Sequence, residues 1–240
     1  MISKLIIILL LSQQTVEYRV NDAGFAVVEL FTSEGCSSCP PADRLLSDIR
    51  KDYAGRMVYT LSFHVDYWNY IGWKDPFSKK TYTDRQRRYG SAFRNESIYT
   101  PQLVVNGKTE FVGHNRDKAI ETIDESLEAN TDQSISFSVS RLNKQLEINY
   151  SINGKIAGNE RLVIIISESG LRSDVNRGEN RGRILYHDSV VRDYRIVDAD
   201  PSAKINLSLP EDLSLEHTEV ILFCQDFSTM RIRSASRQKL

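Results

Sequence analysis

Ala26-Val27-Val28-Glu29-Leu30-Phe31-Thr32-Ser33-Glu34-Gly35-Cys36-Ser37-Ser38-Cys39-Pro40-Pro41-Ala42-Asp43 changes texture twice within a few turns of chain. Ala26 to Phe31 is a nearly continuous apolar, β-branched and aromatic run, as expected of a strand buried on both faces. A turn follows at Ser33-Glu34-Gly35. From Ala42 to Lys51 the apolar residues Leu45, Leu46 and Ile49 recur at helical spacing. Proline lacks only an N–H that the first turn of a helix leaves unpaired, so Pro40 and Pro41 mark a helix start. Cys36 and Cys39 therefore stand at a strand-to-helix turn, spaced to bond to each other or to share a metal ion.

Downstream, Met57 to Phe63 reads as a second strand, and strand, helix, strand in this order predicts a right-handed parallel crossover. Parallel strands end at one edge, so His64 and Asp66 are expected beside the cysteines. Tyr67 to Asn95 is a long aromatic and polar insertion with Trp68, Trp73 and the run Arg85-Gln86-Arg87-Arg88, read as a solvated face of a helix from Thr83 to Phe93 with Thr83 as N-cap. Ile98 to Val105, Asn106-Gly107, then Thr109 to Val112 has the strongest short hairpin signature. A helix from Arg116 to about Ala129 follows.

Beyond Asp132 the pattern becomes strict alternation, at Ile135, Phe137 and Val139 and again at Leu146, Ile148, Tyr150 and Ile152. Further strands are predicted at Leu162–Ser167, Arg183–Val197, Ala203–Leu209 and Glu219–Gln225. Short alternating strands with no helix between them point to a separate antiparallel sandwich, with a boundary near Asn130 to Gln133.

The chain has 240 residues, 40% of them hydrophobic, enough for a substantial core. With 31 basic and 32 acidic side chains it carries no field that would gather nucleic acid. Residues 1–14 read as a secretory signal segment: Lys4, then an aliphatic run from Leu5 to Leu11. That run is well short of the roughly 20 residues a permanent membrane span needs. Three cysteines are too few for a disulfide-stapled scaffold, and Cys224, inside Val220 to Cys224, reads as a small buried hydrophobe.

Several longer motifs extend the opening stretch: His64-Val65-Asp66-Tyr67-Trp68, Gly72-Trp73-Lys74-Asp75-Pro76-Phe77, Arg85-Gln86, Tyr99-Thr100-Pro101-Gln102, Gly178-Glu179-Asn180-Arg181-Gly182-Arg183 and Val190-Val191-Arg192. Together they resemble the secreted thioredoxin-like family known as domain of unknown function 1223. The resemblance implies an α/β thioredoxin-like domain over residues 22–130, with a long insertion at about 66–96. The alternating strands add an all-β antiparallel sandwich-like C-terminal domain over 132–240. It further implies a periplasmic or secreted thiol-disulfide oxidoreductase acting on an unidentified protein thiol or disulfide. Cys36 would be the nucleophile at a helix N-terminus that favours its thiolate, and Cys39 the resolving thiol. Thr100, before Pro101, would offer backbone to a substrate, and His64, Asp66 and Trp68 would support the site. No cofactor is needed for that chemistry. Two alternatives stay open: Cu(I) or zinc held by Cys36, Cys39 and His64, and a binding module without catalysis. Two departures from the resembled proteins stand out, Asn69 where many members carry an acidic residue and Ser37-Ser38 where thioredoxin has Gly-Pro.

Overall fold

The computed structural model describes residues 24–240, so the expected signal segment at 1–14 lies outside the described residues. The first half of the described chain runs β1 (Ala26–Thr32), α1 (Pro40–Asp52), β2 (Val58–His64), α2 (Lys80–Phe93), β3 (Gln102–Val105), β4 (Thr109–Val112) and α3 (Arg116–Glu128). The second half is β5 (Ser134–Leu142), β6 (Gln145–Asn153), β7 (Glu160–Glu168), β8 (Leu171–Asp174), β9 (Ile184–His187), β10 (Val190–Asp198), β11 (Ser202–Ser208), β12 (Thr218–Asp226) and β13 (Ile232–Lys239).

Eight strands form one mixed sheet in the order β13-β12-β7-β10-β2-β1-β3-β4. β1 and β2 are parallel in the register Ala26↔Val58 to Thr32↔His64, and β3 lies antiparallel on the other side of β1. Alternation sends Val28 and Leu30 to a core shared with α1 and α3, and Val27 and Phe31 to a second core with Tyr82 and Tyr89 of α2. A third core lies between the small sheet β11-β6-β5 and one face of β7 and β12.

The expectation of an α/β thioredoxin-like domain joined to a separate all-β sandwich-like domain does not hold. The chain is mostly β, 41% strand against 21% helix, and the large sheet passes from one half of the chain to the other without a distinct α/β core. The junction is β10 against β2: Val190 pairs with Ser62, Ser62 N–H donates to the Ser189 carbonyl at 2.8 Å, and the Thr60 and Ser189 hydroxyls meet at 2.7 Å. The physical reason lies in β7 and β12. Leu162 to Ile166 and Val220 to Cys224 are apolar on both faces and buried on both, so they sit at the centre of a covered sheet. Local alternation carries no information on which strands become neighbours.

Two local departures bear on the site. The predicted strand Arg183–Val197 is broken at Ser189, whose φ is 57°, so β9 leaves the main sheet and pairs with β8. Helix α2 begins a turn before Thr83, which instead bonds to Asp66. The Asn106-Gly107 turn forms as expected, with φ of 50° and 61°. A Cβ on Gly107 would lie 1.8 Å from the Met230 carbonyl oxygen. Gly107→Ala is expected to cost roughly 2 kcal/mol or more, from left-handed strain plus a backbone clash, read as a lowered midpoint of urea unfolding. Cys224 is buried and free, and burial pushes its thiol up to about 12.

Candidate functional site

Cys36 and Cys39 form a disulfide at the junction of β1 and α1. The turn that presents it is built locally: Cys36 N–H donates to the Ser33 carbonyl at 3.1 Å, and Gly35 N–H to the Ser33 hydroxyl at 3.1 Å. Cys39 is the N-cap of α1, and its carbonyl accepts from Ala42 and Asp43 N–H. Gly35 is required by close approach, since a Cβ there would lie 3.0 Å from the Trp68 Cβ. Both cysteines are buried, while Ser37 and Ser38 between them are exposed.

The turn between β8 and β9 covers this loop. Asn180 Nδ2 donates to the Glu34 and Cys36 carbonyls at 2.8 and 2.9 Å, and Glu179 Oε2 accepts from Ser37 N–H at 3.0 Å. Asn180 is itself held by Arg183, whose Nη1 donates to its Oδ1 at 3.0 Å. The second half of the chain thus contributes directly to the disulfide's surroundings.

Below the loop lies a buried polar network. His64 Nδ1 faces Asp75 Oδ2 at 2.7 Å, and the same oxygen accepts from Glu34 N–H at 2.9 Å, while Asp75 Oδ1 accepts from Phe77 N–H. Glu34 accepts from Trp73 Nε1 at 2.7 Å and from His187 Nε2 at 3.1 Å. The His64 and His187 rings meet edge to face with centroids 4.9 Å apart. Burial alone would disfavour the His64 imidazolium, but the Asp75 carboxylate and its hydrogen bond, helped by Asp43 and Glu34, outweigh it and raise the pKa. Burial likewise opposes the Asp75 charge, and His64 with two backbone N–H groups outweighs it and lowers the pKa. The two groups form a buried, hydrogen-bonded His64–Asp75 pair in which each favours the charged form of the other.

The expected site residues divide in the structure. His64 stands next to the disulfide loop through Glu34 and Asp75. Trp68 backs Gly35, and its Nε1 donates to the Thr100 hydroxyl at 2.8 Å, next to the cis Thr100–Pro101 bond. Pro101 packs beneath α1 through Gly113, whose added Cβ would meet Pro101 and Ala42. Asp66, expected to support the site, instead accepts from the Thr83 hydroxyl of α2 at 2.5 Å. Asp75 takes the orienting role. Glu34, Asp43, Asp75, Asn180 and His187 were not legible as a set, because they meet only through the fold. Glu34, Asp43, Asp75 and Asn180 belong to the long motifs around Gly35, Lys74 and Gly178, whereas His187 lies outside them.

Among the described residues, no group of three or more His, Cys, Asp or Glu side chains has metal-binding geometry. Of the alternative ligands Cys36, Cys39 and His64, the two sulfurs are bonded to each other and the His64 Nδ1 is occupied by Asp75. No helix among the described residues is long and apolar enough to cross a membrane.

No curated protein matches the chain. Among solved structures it resembles protein AGR_C_4864 from Agrobacterium tumefaciens, with 28% identity over 90% of this chain and 94% of that one and a TM-score of 0.66. It also resembles HBP35 of Porphyromonas gingivalis, at 14% identity over 91% of this chain and 76% of that one and a TM-score of 0.60, a likeness of fold alone. A family model described as "Protein of unknown function (DUF1223)" matches residues 27–225, which span the disulfide loop, the buried His64–Asp75 pair and the covering turn. The chain belongs to the DUF1223 family.

Proposed function

We propose that the protein exchanges disulfides with an extracytoplasmic protein partner through Cys36 and Cys39. The observation that carries this reading is the disulfide at the N-cap of α1, seated on a built polar network instead of a simple apolar core. Cys36 is fully buried beneath the turn between β8 and β9, so exchange requires that turn to move aside. A partner thiolate then attacks Cys36 Sγ, forming a mixed disulfide, and the Cys36–Cys39 bond breaks with its electron pair going to Cys39. A second partner thiol then displaces Cys36, so the partner leaves oxidised and the protein holds two thiols. In reverse, the Cys36 thiolate opens a partner disulfide and Cys39 closes on Cys36, releasing the partner reduced. The positive end of α1 favours the thiolate in either direction. A Cys36–Cys39 disulfide fits an exported location.

Substitution Cys39→Ser leaves Cys36 able to form a mixed disulfide that the protein cannot resolve. Expressed in the native cell, it is expected to accumulate reductant-sensitive adducts that Cys36→Ser/Cys39→Ser lacks. No adducts with Cys39→Ser, together with full biological function of Cys36→Ser, would overturn the reading.

A further inference from the structure

Cys36 and Cys39 are fully buried although Ser37 and Ser38 between them are exposed. The segment that covers the pair comes from the other half of the chain, and it is held unlike the rest of the fold. β8 and β9 pair only with each other. No residue from Leu171 to His187 belongs to any of the three apolar cores. A two-stranded ribbon is at best marginally stable by itself, so its place over the cysteines depends on the contacts at its two ends.

The ends differ. At the root, His187 is buried and bonds to Glu34, Gly170 N–H donates to Asp188 Oδ1 at 3.0 Å, and Ser189 N–H donates to the Ser169 hydroxyl at 2.9 Å. At the tip, the covering residues Glu179 and Asn180 lie between Gly178 and Gly182, whose φ angles are 74° and 80°. Glycine takes such angles at no steric cost and keeps more backbone freedom than other residues. The tip meets the cysteine loop through the two Asn180 hydrogen bonds to the Glu34 and Cys36 carbonyls and the one from Ser37 N–H to Glu179. Water can replace each of these once the tip lifts, so parting them costs far less than opening a core.

We infer that Glu179–Arg181 is a flap, latched by side-chain hydrogen bonds and hinged at Gly178 and Gly182, whose local opening controls access to the Cys36–Cys39 disulfide while the root and the main sheet stay folded. The inference rests on the exchange reading, and it names the part that moves and what holds it shut. Arg183 sets the latch from behind. Its Nη1 donates to Asn180 Oδ1, which leaves the amide nitrogen facing the loop carbonyls. Gly178 seats the closed flap on the insertion, since a Cβ there would lie 3.2 Å from both Ile71 Cδ1 and Trp73 Cβ. Glu34 joins latch to floor: its carbonyl accepts from Asn180 while its carboxylate accepts from Trp73 and His187. The flap thus closes on the part of the loop that the buried network already fixes. A reagent then reacts at Cys36 at its intrinsic rate scaled by the fraction of molecules with the flap open.

The test follows reduction of the whole oxidised chain by tris(carboxyethyl)phosphine without denaturant, with the freed Cys36 and Cys39 thiols counted by alkylation and mass. Glu179→Ala/Asn180→Ala removes all the latch bonds and is expected to speed reduction about 10- to 100-fold. Arg183→Ala acts on the loop through Asn180 and is expected to speed it about 3- to 10-fold, which serves where the double variant fails to fold. Unchanged rates in the folded variants would overturn the flap. In the unaltered chain the reduction rate is expected to rise with urea along a slope well below that of global unfolding, because lifting the tip exposes little surface. A slope equal to that of global unfolding would also overturn it, since the disulfide would then be reached only when the sheet comes apart. Neither measurement needs a protein partner. Failure to capture a partner with Cys39→Ser would therefore sink the exchange reading and leave the flap to stand or fall on the reduction rates.

Discussion

Arg85→Met is expected to destabilise the protein by about 3–5 kcal/mol, the cost of leaving a buried charge without its partner. Arg85 and Glu29 are both fully buried. The guanidinium donates Nε–H to Glu29 Oε2 at 2.5 Å and Nη2–H to Glu29 Oε1 at 2.8 Å. Its remaining donors reach Tyr89 at 3.0 Å, Gln225 at 2.9 Å and Tyr194 at 3.2 Å, so all five N–H groups are used. The rings of Phe63, Tyr89, Tyr194 and Phe223 surround it with centroids 5.1 to 5.4 Å away. These partners lie on β1, β2, α2, β10 and β12, so one side chain ties the first half of the sheet to the second. Methionine fills much of the volume but leaves the Glu29 carboxylate in a low-dielectric interior. Urea unfolding should show a lower midpoint with an unchanged slope. Arg85→Lys should rescue little, because an ammonium cannot reproduce the bidentate fork. Glu29→Gln/Arg85→Met should be more stable than Arg85→Met alone, since the double variant buries no unpaired charge. A loss below about 1 kcal/mol for Arg85→Met, the range of an exposed ion pair, would show that the network contributes nothing beyond its packing.

Arg85 also shows where reading by pattern stops. In Arg85-Gln86-Arg87-Arg88 the residue types suggest a solvated helix face, and Arg87 and Arg88 do face solvent while Arg85 and Gln86 are buried. The difference lies in Glu29, a carboxylate within an otherwise apolar strand, whose need for a counter-charge is plain in the sequence but whose partner is 56 residues away. Elements specified by local chemistry were legible: the strand from Ala26, the helix begun by Pro40-Pro41, the hairpin at Asn106-Gly107 and the position of the cysteine pair between the first two. Features that need non-local pairing were not. The alternating strands from Ile135 onward could be recognised one at a time, yet whether they form their own sandwich depends on where β10 docks. A contact at Val190 beside Ser62 leaves no periodic trace. The same limit governed the site. His64 was placed correctly at the strand end, but its nearest carboxylate in sequence, Asp66, turns to α2, and Asp75 reaches it because the insertion folds back over the sheet edge.

Asp75→Asn should therefore act on stability in a pH-dependent way that Asp66→Asn does not share. His64 has a folded pKa raised above its ordinary 6.5, so its pairing contributes stability that is fully present below pH 6.5 and is lost as the pH rises through the raised value. Asp75 has a folded pKa below its ordinary 3.8, so its contribution is present above pH 3.8 and is lost as the pH falls through the depressed value. Both contributions are complete between pH 3.8 and 6.5. Within that window Asp75→Asn removes the counter-charge from a buried imidazolium and cannot supply both acceptor oxygens that Glu34, His64 and Phe77 now share. The expected loss there is about 3 kcal/mol. At alkaline pH His64 is neutral in both proteins, so the gap between wild type and variant should narrow to the cost of the disturbed hydrogen bonds, about 1 kcal/mol. Asp66 is only partly buried and bonds to a neutral hydroxyl, so Asp66→Asn should cost about 1 kcal/mol or less with no comparable narrowing. Urea unfolding of the three proteins across the pH range checks both parts. A gap for Asp75→Asn that stays constant from acid to alkali would mean that His64 is neutral when folded. The floor beneath the Cys36–Cys39 loop would then be a scaffold in which a neutral His64 donates Nδ1–H to the Asp75 carboxylate, without an ion pair.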